Sequence, residues 1–190
     1  SFAKANGIDI SKVKVEPVGF PTREPLLAEG KVDSVTGFSF SSYLNLVRLG
    51  VPEEDISTIL MADHGLKLYG NAVIVNTDYA KNNSDMVKKF LVAIGAGWRD
   101  AIKDPKAAAA ALVKRNPAAD AALEQRRLQL AIDANVLTDY VKANGMGGVD
   151  SSRFAAAIEQ LSETYEYKAA PNAALYFTDE YLPASGIPLN

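Results

Sequence analysis

The chain has 190 residues, 48% of them hydrophobic and 23% charged, which is the composition of a globular protein and excludes a disordered one. Its formal net charge is −3, with Arg126-Arg127 standing alone within a helical pattern, so a nucleic-acid surface is excluded for want of clustered basic groups. There is no cysteine, which removes disulfides, thiolate metal sites and cysteine nucleophiles together, and no apolar run approaches the ~20 residues of a membrane span.

The first ~75 residues alternate strand and helix signals, as βαβ units do. Residues 13–18 are β-rich, with Pro17 marking an edge or a strand end. Gly19-Phe20-Pro21-Thr22 reads as a loop in which Thr22 caps a short helix running through Leu27 to a stop at Gly30. Residues 32–36 are short, β-branched and bounded by turn residues, the pattern of a buried parallel strand. A helix over residues 41–49 follows, ended by Gly50 with Pro52 beyond it, and residues 56–61 and 71–76 are two further β-rich runs.

After Asn76 the pattern turns helical. Ser84 is placed to cap a helix whose stripe is Val87, Phe90, Leu91, Ile94, Trp98 and Ile102. Gly95 and Gly97 inside it each cost roughly 1 kcal/mol against alanine, which points to close approach of another backbone. Asp104-Pro105 and Asn116-Pro117 each put a cap before a proline, predicting two helix starts. Asp150 caps a fourth helix with Phe154, Ile158 and Leu161 inward, and the tail from Ala169 reads as irregular.

Several segments resemble the substrate-binding proteins of ABC transporters. Residues 26–33, Leu-Leu-Ala-Glu-Gly-Lys-Val-Asp, are similar to their Leu-x-x-Gly-x-Val/Ile-Asp-Ala element. Residues 68–75, then 85–91 with Gly97-Trp98, resemble the crossover strand and following helix, and residues 176–183 the closing motif. The branch is the NMT1/THI5-like group, whose receptors take nitrate, sulfonates, taurine and thiamine-precursor pyrimidines.

The resemblance covers about the second half of a typical member. It implies an α/β, type II periplasmic-binding-protein-like fold of two lobes closing on a ligand in the cleft between them. Residues 1–70 are then expected to be a partial second α/β lobe. Residues 71–190 form the crossover strand and the helices that return to the first lobe, whose N-terminal part is absent. With no leader-like segment in view, a mature or trimmed chain is expected. An exposed first-lobe surface would favour self-association.

The two strand-to-helix junctions carry the candidate site. In residues 36–42, Ser39, Ser41 and Ser42, with the loop's backbone N–H groups and with Thr36 and Gly37, are suited to an oxyanion or polar headgroup, and Phe38 or Phe40 to an organic ring; helix capping and aromatic burial are the competing reading. Phe20 and Thr22 occupy the equivalent place at the earlier junction, and Tyr69 beside Gly70 is a cleft or hinge candidate. His64, the only histidine, reads as a turn residue, and one histidine without cysteine leaves only scattered carboxylates for a metal. Trp98 reads as core packing.

The function implied is binding, not catalysis, with no cofactor. A small polar organic molecule or anion is captured and handed to an ABC permease of the inner membrane by a periplasmic or lipid-anchored receptor. The aromatics favour a flat ring such as a pyrimidine over bare nitrate. Two alternatives are a pyrimidine-precursor synthesis enzyme of the same fold, opposed by the missing cysteine-rich iron motif, and the ligand-sensing domain of a regulator.

Overall fold

The computed structural model describes residues 1–165, 167–169, 171–183 and 186–189. Helices dominate: α1 (Phe2–Ala5), α2 (Phe20–Ala28), α3 (Ser39–Arg48), α4 (Thr77–Asn82), α5 (Ser84–Lys103), α6 (Pro105–Arg115), α7 (Ala121–Ala131), α8 (Asp139–Asn144) and α9 (Ser151–Ser162). Short 3-10 turns and a π-helical turn over Ile132–Val136 connect them.

The helix boundaries follow local chemistry. Asp104 accepts from the Ala107 N–H at 2.9 Å, and Pro105 takes the first helical position of α6. Asp150 does the same for α9, accepting from the Arg153 N–H at 2.7 Å. Gly30 and Gly50 follow α2 and α3 with φ of 67° and 87°, a left-handed backbone that a Cβ would strain.

Four starts differ from expectation: α3 begins at Ser39, two residues early, and α5 takes Ser84 as its first helical residue rather than its cap. α2 opens one turn early, with Gly19 rather than Thr22 as its cap, because Phe20-Pro21 already adopts the helical φ that proline imposes. After Asn116-Pro117 the chain makes only a turn, and α7 begins after Asp120, whose carboxylate accepts from the Leu123 N–H at 2.7 Å.

The expected sheet is corrected. Among the described residues the one β-type pairing is an isolated antiparallel bridge between Met146 and Ile187. The β-rich runs at 13–18, 32–36, 56–61 and 71–76 contain no strand, although Val13, Ile56 and Asn76 have extended backbones and Met61 opens a 3-10 turn. A strand is stable only against a ladder partner, and these runs lie open. Val15, Ile59 and Ile74 are 70%, 64% and 91% exposed. The α/β fold class therefore holds here only in its helical part.

The chain divides into two compact units. The first comprises Ser1–Ile8, Met61–Lys103 and Val136–Asn190. Here α4 packs on α5, α1 on the turn Met61–His64, and α9 on the turn Ala173–Leu175. Ala80, Val87, Ala157, Ile187 and Leu189 form its buried centre. Gly95 is buried where Ile187 presses on α5, so the close approach expected there is made by a side chain. Gly97 has nothing within 4 Å of where a Cβ would lie, and Phe90 stays 54% exposed, so neither expectation for them holds. Trp98 is half-buried. His64 lies in the turn, its carbonyl accepting from Asn6 Nδ2 at 2.9 Å and its ring edge-on to Phe2. The tail is irregular apart from Ala173–Leu175; Ala170, Ala184, Ser185 and Asn190 of it lie outside the described residues.

The second unit comprises Asp9–Leu60 and Asp104–Asn135. α7 packs against α6 and α3, and α3 against α2. Leu44 is fully buried, with Leu46, Ala109 and Ile132 beside it in the buried set. Seven of the eight candidate residues fall in this unit.

Candidate functional site

α2 and α3 both begin without a side-chain cap: Gly19 has no side chain to offer, and Phe38 has no acceptor. The two starts are joined by α2. Arg23 Nη1 donates to the Thr36 carbonyl at 2.5 Å, tying the loop that enters α3 to the first turns of α2. The other face of the same guanidinium chemistry lies over the Phe20 ring, 4.8 Å from its centroid.

Beneath the loop is a buried polar joint. The Glu24 carboxylate, 3% exposed, accepts from the Ser42 hydroxyl at 2.6 Å and from Arg23 Nη2 at 3.3 Å on the same oxygen. Burial pushes this carboxyl up, but the Ser42 hydroxyl, its own backbone N–H and the Arg23 guanidinium outweigh that and hold it below the usual carboxylate range. Gly37 sits against this joint: a Cβ there would run into the Ser42 hydroxyl and come within 3.3 Å of Arg23 Nη2.

Across the loop, Arg127 of α7 donates to the Phe40 carbonyl at 3.2 Å and to the Ser41 hydroxyl at 3.3 Å, while Glu124 accepts from its Nε at 3.1 Å. From the preceding position on α7, Arg126 grips Glu53 with both terminal nitrogens, and Tyr43 donates to Glu53 at 2.6 Å. The Arg126 and Tyr43 bonds hold the Glu53 carboxyl at about 2. α3 is thereby clamped from the α2 side and the α7 side.

Above this framework the rim is aromatic and open. Phe20 is 77% exposed and Phe38 50% exposed, with Phe38 stacked on Phe40 at 5.3 Å and 17°. Thr22, Thr36 and Gly37 are exposed and Ser39 is half-buried. Ser42 is turned inward and its hydroxyl is committed to Glu24. The structure thus gathers Phe20, Thr22, Thr36, Gly37, Phe38, Ser39 and Ser42 around the starts of α2 and α3.

Tyr69 belongs to the first unit. Its hydroxyl accepts from the Asp150 N–H at 2.9 Å, and Arg153 lies 4.8 Å over its ring. Arg153 also donates to the Lys67 and Leu68 carbonyls, so α9 side chains hold residues 67–69 in place of a neighbouring strand. A depression of about 260 Å³ alongside is lined by Leu66, Lys67, Ser152 and Arg153.

Sequence reasoning missed Arg23, Glu24 and Arg127. A partial signal lies in α3, where Ser42 stands one turn before Leu46 on the buried side. Glu24 stands between Phe20 and Leu27 at helical spacing, but Phe20 is exposed, so that spacing marks no buried face. Arg127 gave no such mark, since its partners are a carbonyl and a hydroxyl far along the chain.

Among the described residues no group of three or more His, Asp or Glu side chains is arranged to hold a metal, and no helix is long and apolar enough to cross a membrane. The sequence profile described as NMT1/THI5 like matches residues 1–108. The riboflavin-binding protein RibY of Chloroflexus aurantiacus is 26% identical over 184 residues, which is 94% of this chain and 50% of that protein. The chain therefore spans about half the length of this relative. No solved structure matches it.

Proposed function

The chain belongs to the NMT1/THI5-like family, and from that membership we propose that it is the solute-binding part of an ABC importer. It takes up a small polar organic molecule or anion outside the cytoplasm, as a periplasmic or lipid-anchored receptor, and passes it to an inner-membrane permease. Family and relative both point to binding rather than catalysis. Two-lobed capture, in the manner of type II periplasmic binding proteins, is part of the proposal.

The observation that carries this reading is the open aromatic rim. Phe20 and Phe38 stand exposed at two uncapped helix starts, on a loop pinned from below by Glu24, Ser42, Arg23 and Arg127. Large exposed phenylalanines on a rigid support are the usual form of a surface awaiting a flat partner. Phe20, Thr22, Gly37, Phe38 and Ser39 meet the ligand in this reading, while Ser42 and the Thr36 carbonyl hold the rim in shape. Tyr69 orders the start of α9. Contacts made only with ligand present shift the receptor toward its closed form.

A thermal-shift screen of the full-length protein tests it, with nitrate, taurine, sulfonates, pyrimidines, riboflavin and aromatic acids as probes. A ligand at a hundred times its Kd stabilises by about 2.7 kcal/mol, which raises the melting temperature of a chain this size by about 5–11 °C. Phe20→Ala is expected to abolish the shift while leaving the unliganded melting temperature unchanged. A blank across all probe classes refutes the receptor reading.

A further inference from the structure

α5 covers one side and leaves the other bare. Val87 is 7% exposed, and Gly95 lies under Ile187. On the other side Met86 is 57% and Phe90 54% exposed, with Ala93 open beside them. Over Gly97 there is nothing within 4 Å of where a Cβ would lie. Lys89 and Asp100 are exposed on one edge of this face, and neither is in an ion pair among the described residues. At about 3.6 residues per turn, positions 86, 89, 90, 93, 97 and 100 fall within an arc of about 100°. Two large apolar side chains one turn apart, next to an open glycine, make a packing surface without a partner.

The charges on the edge indicate what covers it. Lys89 and Asp100 balance, so the edge offers an anionic lipid surface no excess of cations. The same face is complementary to itself when read in the reverse direction. In an antiparallel pair of helices related by a two-fold axis, each position meets its mirror about a common midpoint, and residues on one edge meet the same edge of the other copy. Lys89 then faces Asp100 of the other copy along one edge, twice by symmetry. Along the other edge Phe90 faces Gly97, and its ring enters the open space there as a ridge enters a groove. The two pairings share a midpoint at Ala93–Ile94 to within one residue, about 1.5 Å along the helix. A parallel pair would set Lys89 beside the Phe90 edge and leave both charges unmatched.

We infer that the outer face of α5 is the interface of a two-fold homodimer, with two antiparallel α5 helices joined by Phe90 over Gly97 and by Lys89 with Asp100. A single helix pair buries less than the ~1,200 Å² at which stable interfaces begin, so the dimer is a weak one, with a dissociation constant of roughly 10–100 μM. The interface is independent of the rim and of any solute bound there.

Sedimentation equilibrium of the full-length protein over a range of concentrations tests it. Phe90→Glu, at an exposed position, is expected to weaken the dimer at least roughly tenfold. Lys89→Asp and Asp100→Lys each place like charges across the pair and are expected to weaken self-association by roughly fivefold. Mixed in equal amounts, these two charge variants are expected to pair with each other about as tightly as wild type, since every facing pair is again of opposite sign. A change in helix stability alone would not produce that recovery, and the mixture decides the matter should Phe90→Glu fail to fold. A protein that stays monomeric at roughly ten times the expected dissociation constant overturns the inference. So does a dimer that Phe90→Glu leaves unchanged, which would join the copies through another surface such as residues 71–76, and so does a mixture that associates no better than either charge variant alone.

Discussion

Replacing Gly37 with alanine is expected to break the joint under the rim. The new Cβ has no room between the Ser42 hydroxyl, the Ser42 Cβ at 3.2 Å and Arg23 Nη2 at 3.3 Å. The cheapest escape is rotation of Ser42 away from Glu24, which forfeits the 2.6 Å bond to a carboxylate that is 3% exposed. A hydrogen bond to a charged group contributes about 1.5–3 kcal/mol, and losing this one leaves the buried oxygen with only the longer contact from Arg23 Nη2 at 3.3 Å. The expected loss is therefore about 2–3 kcal/mol, or about 4–12 °C in melting temperature for a chain of this length. Urea unfolding of wild type, Gly37→Ala, Ser42→Gly and the double variant completes the measurement. In Ser42→Gly the bond is already gone and the space is open, so adding Gly37→Ala should cost little more. Additive losses in the double variant, or a Gly37→Ala protein as stable as wild type, would show that the backbone absorbs the methyl group and that Gly37 and Ser42 are not in the contact described.

Leu44→Ala removes the one large side chain that is completely buried among the described residues, on α3, which packs on α7, and is expected to lower stability by about 2.7–5 kcal/mol; a loss under 1 kcal/mol in urea would place Leu44 outside the core. Acid should weaken the second unit. Glu24 and Glu53 both have carboxyls held below their ordinary value in the folded protein, Glu53 at about 2, so their contribution is complete above the unfolded carboxylate range and is lost as pH falls through the folded values. The urea midpoint is expected to rise from pH 2 to about pH 5 and then level off, with a shallower rise in Glu24→Gln; parallel curves would remove Glu24 as a cause.

What could be read from the residues was local. Asp104 before Pro105, Asp150 before Ser151, and Gly30 and Gly50 after their helices are decided by groups within four residues, and each stands where its chemistry placed it. The Thr22 and Asn116 starts moved by a few residues because a better local solution, Phe20-Pro21 after Gly19 and Asp120 before Ala121, lay close by. The aromatics and hydroxyls at the two junctions were visible as candidates for the same reason: composition and turn signals are short-range.

The β-rich runs show the other limit. Val13, Val15, Ile59, Val73 and Ile74 have strand propensity, yet a strand needs a partner that propensity cannot supply, and these residues remain exposed. The joint of Glu24 with Ser42 spans 18 positions, Arg126 with Glu53 spans 73, and Arg127 with Phe40 spans 87. No periodicity links positions so far apart. The sequence by itself determined most of the helix ends and the turns and supplied the candidates for a ligand-facing rim, because those depend on neighbours in the chain. Only the tertiary structure decided which of them share a rim, which hydroxyl turns inward and which cations are neutralised, because those follow from side chains brought together by folding.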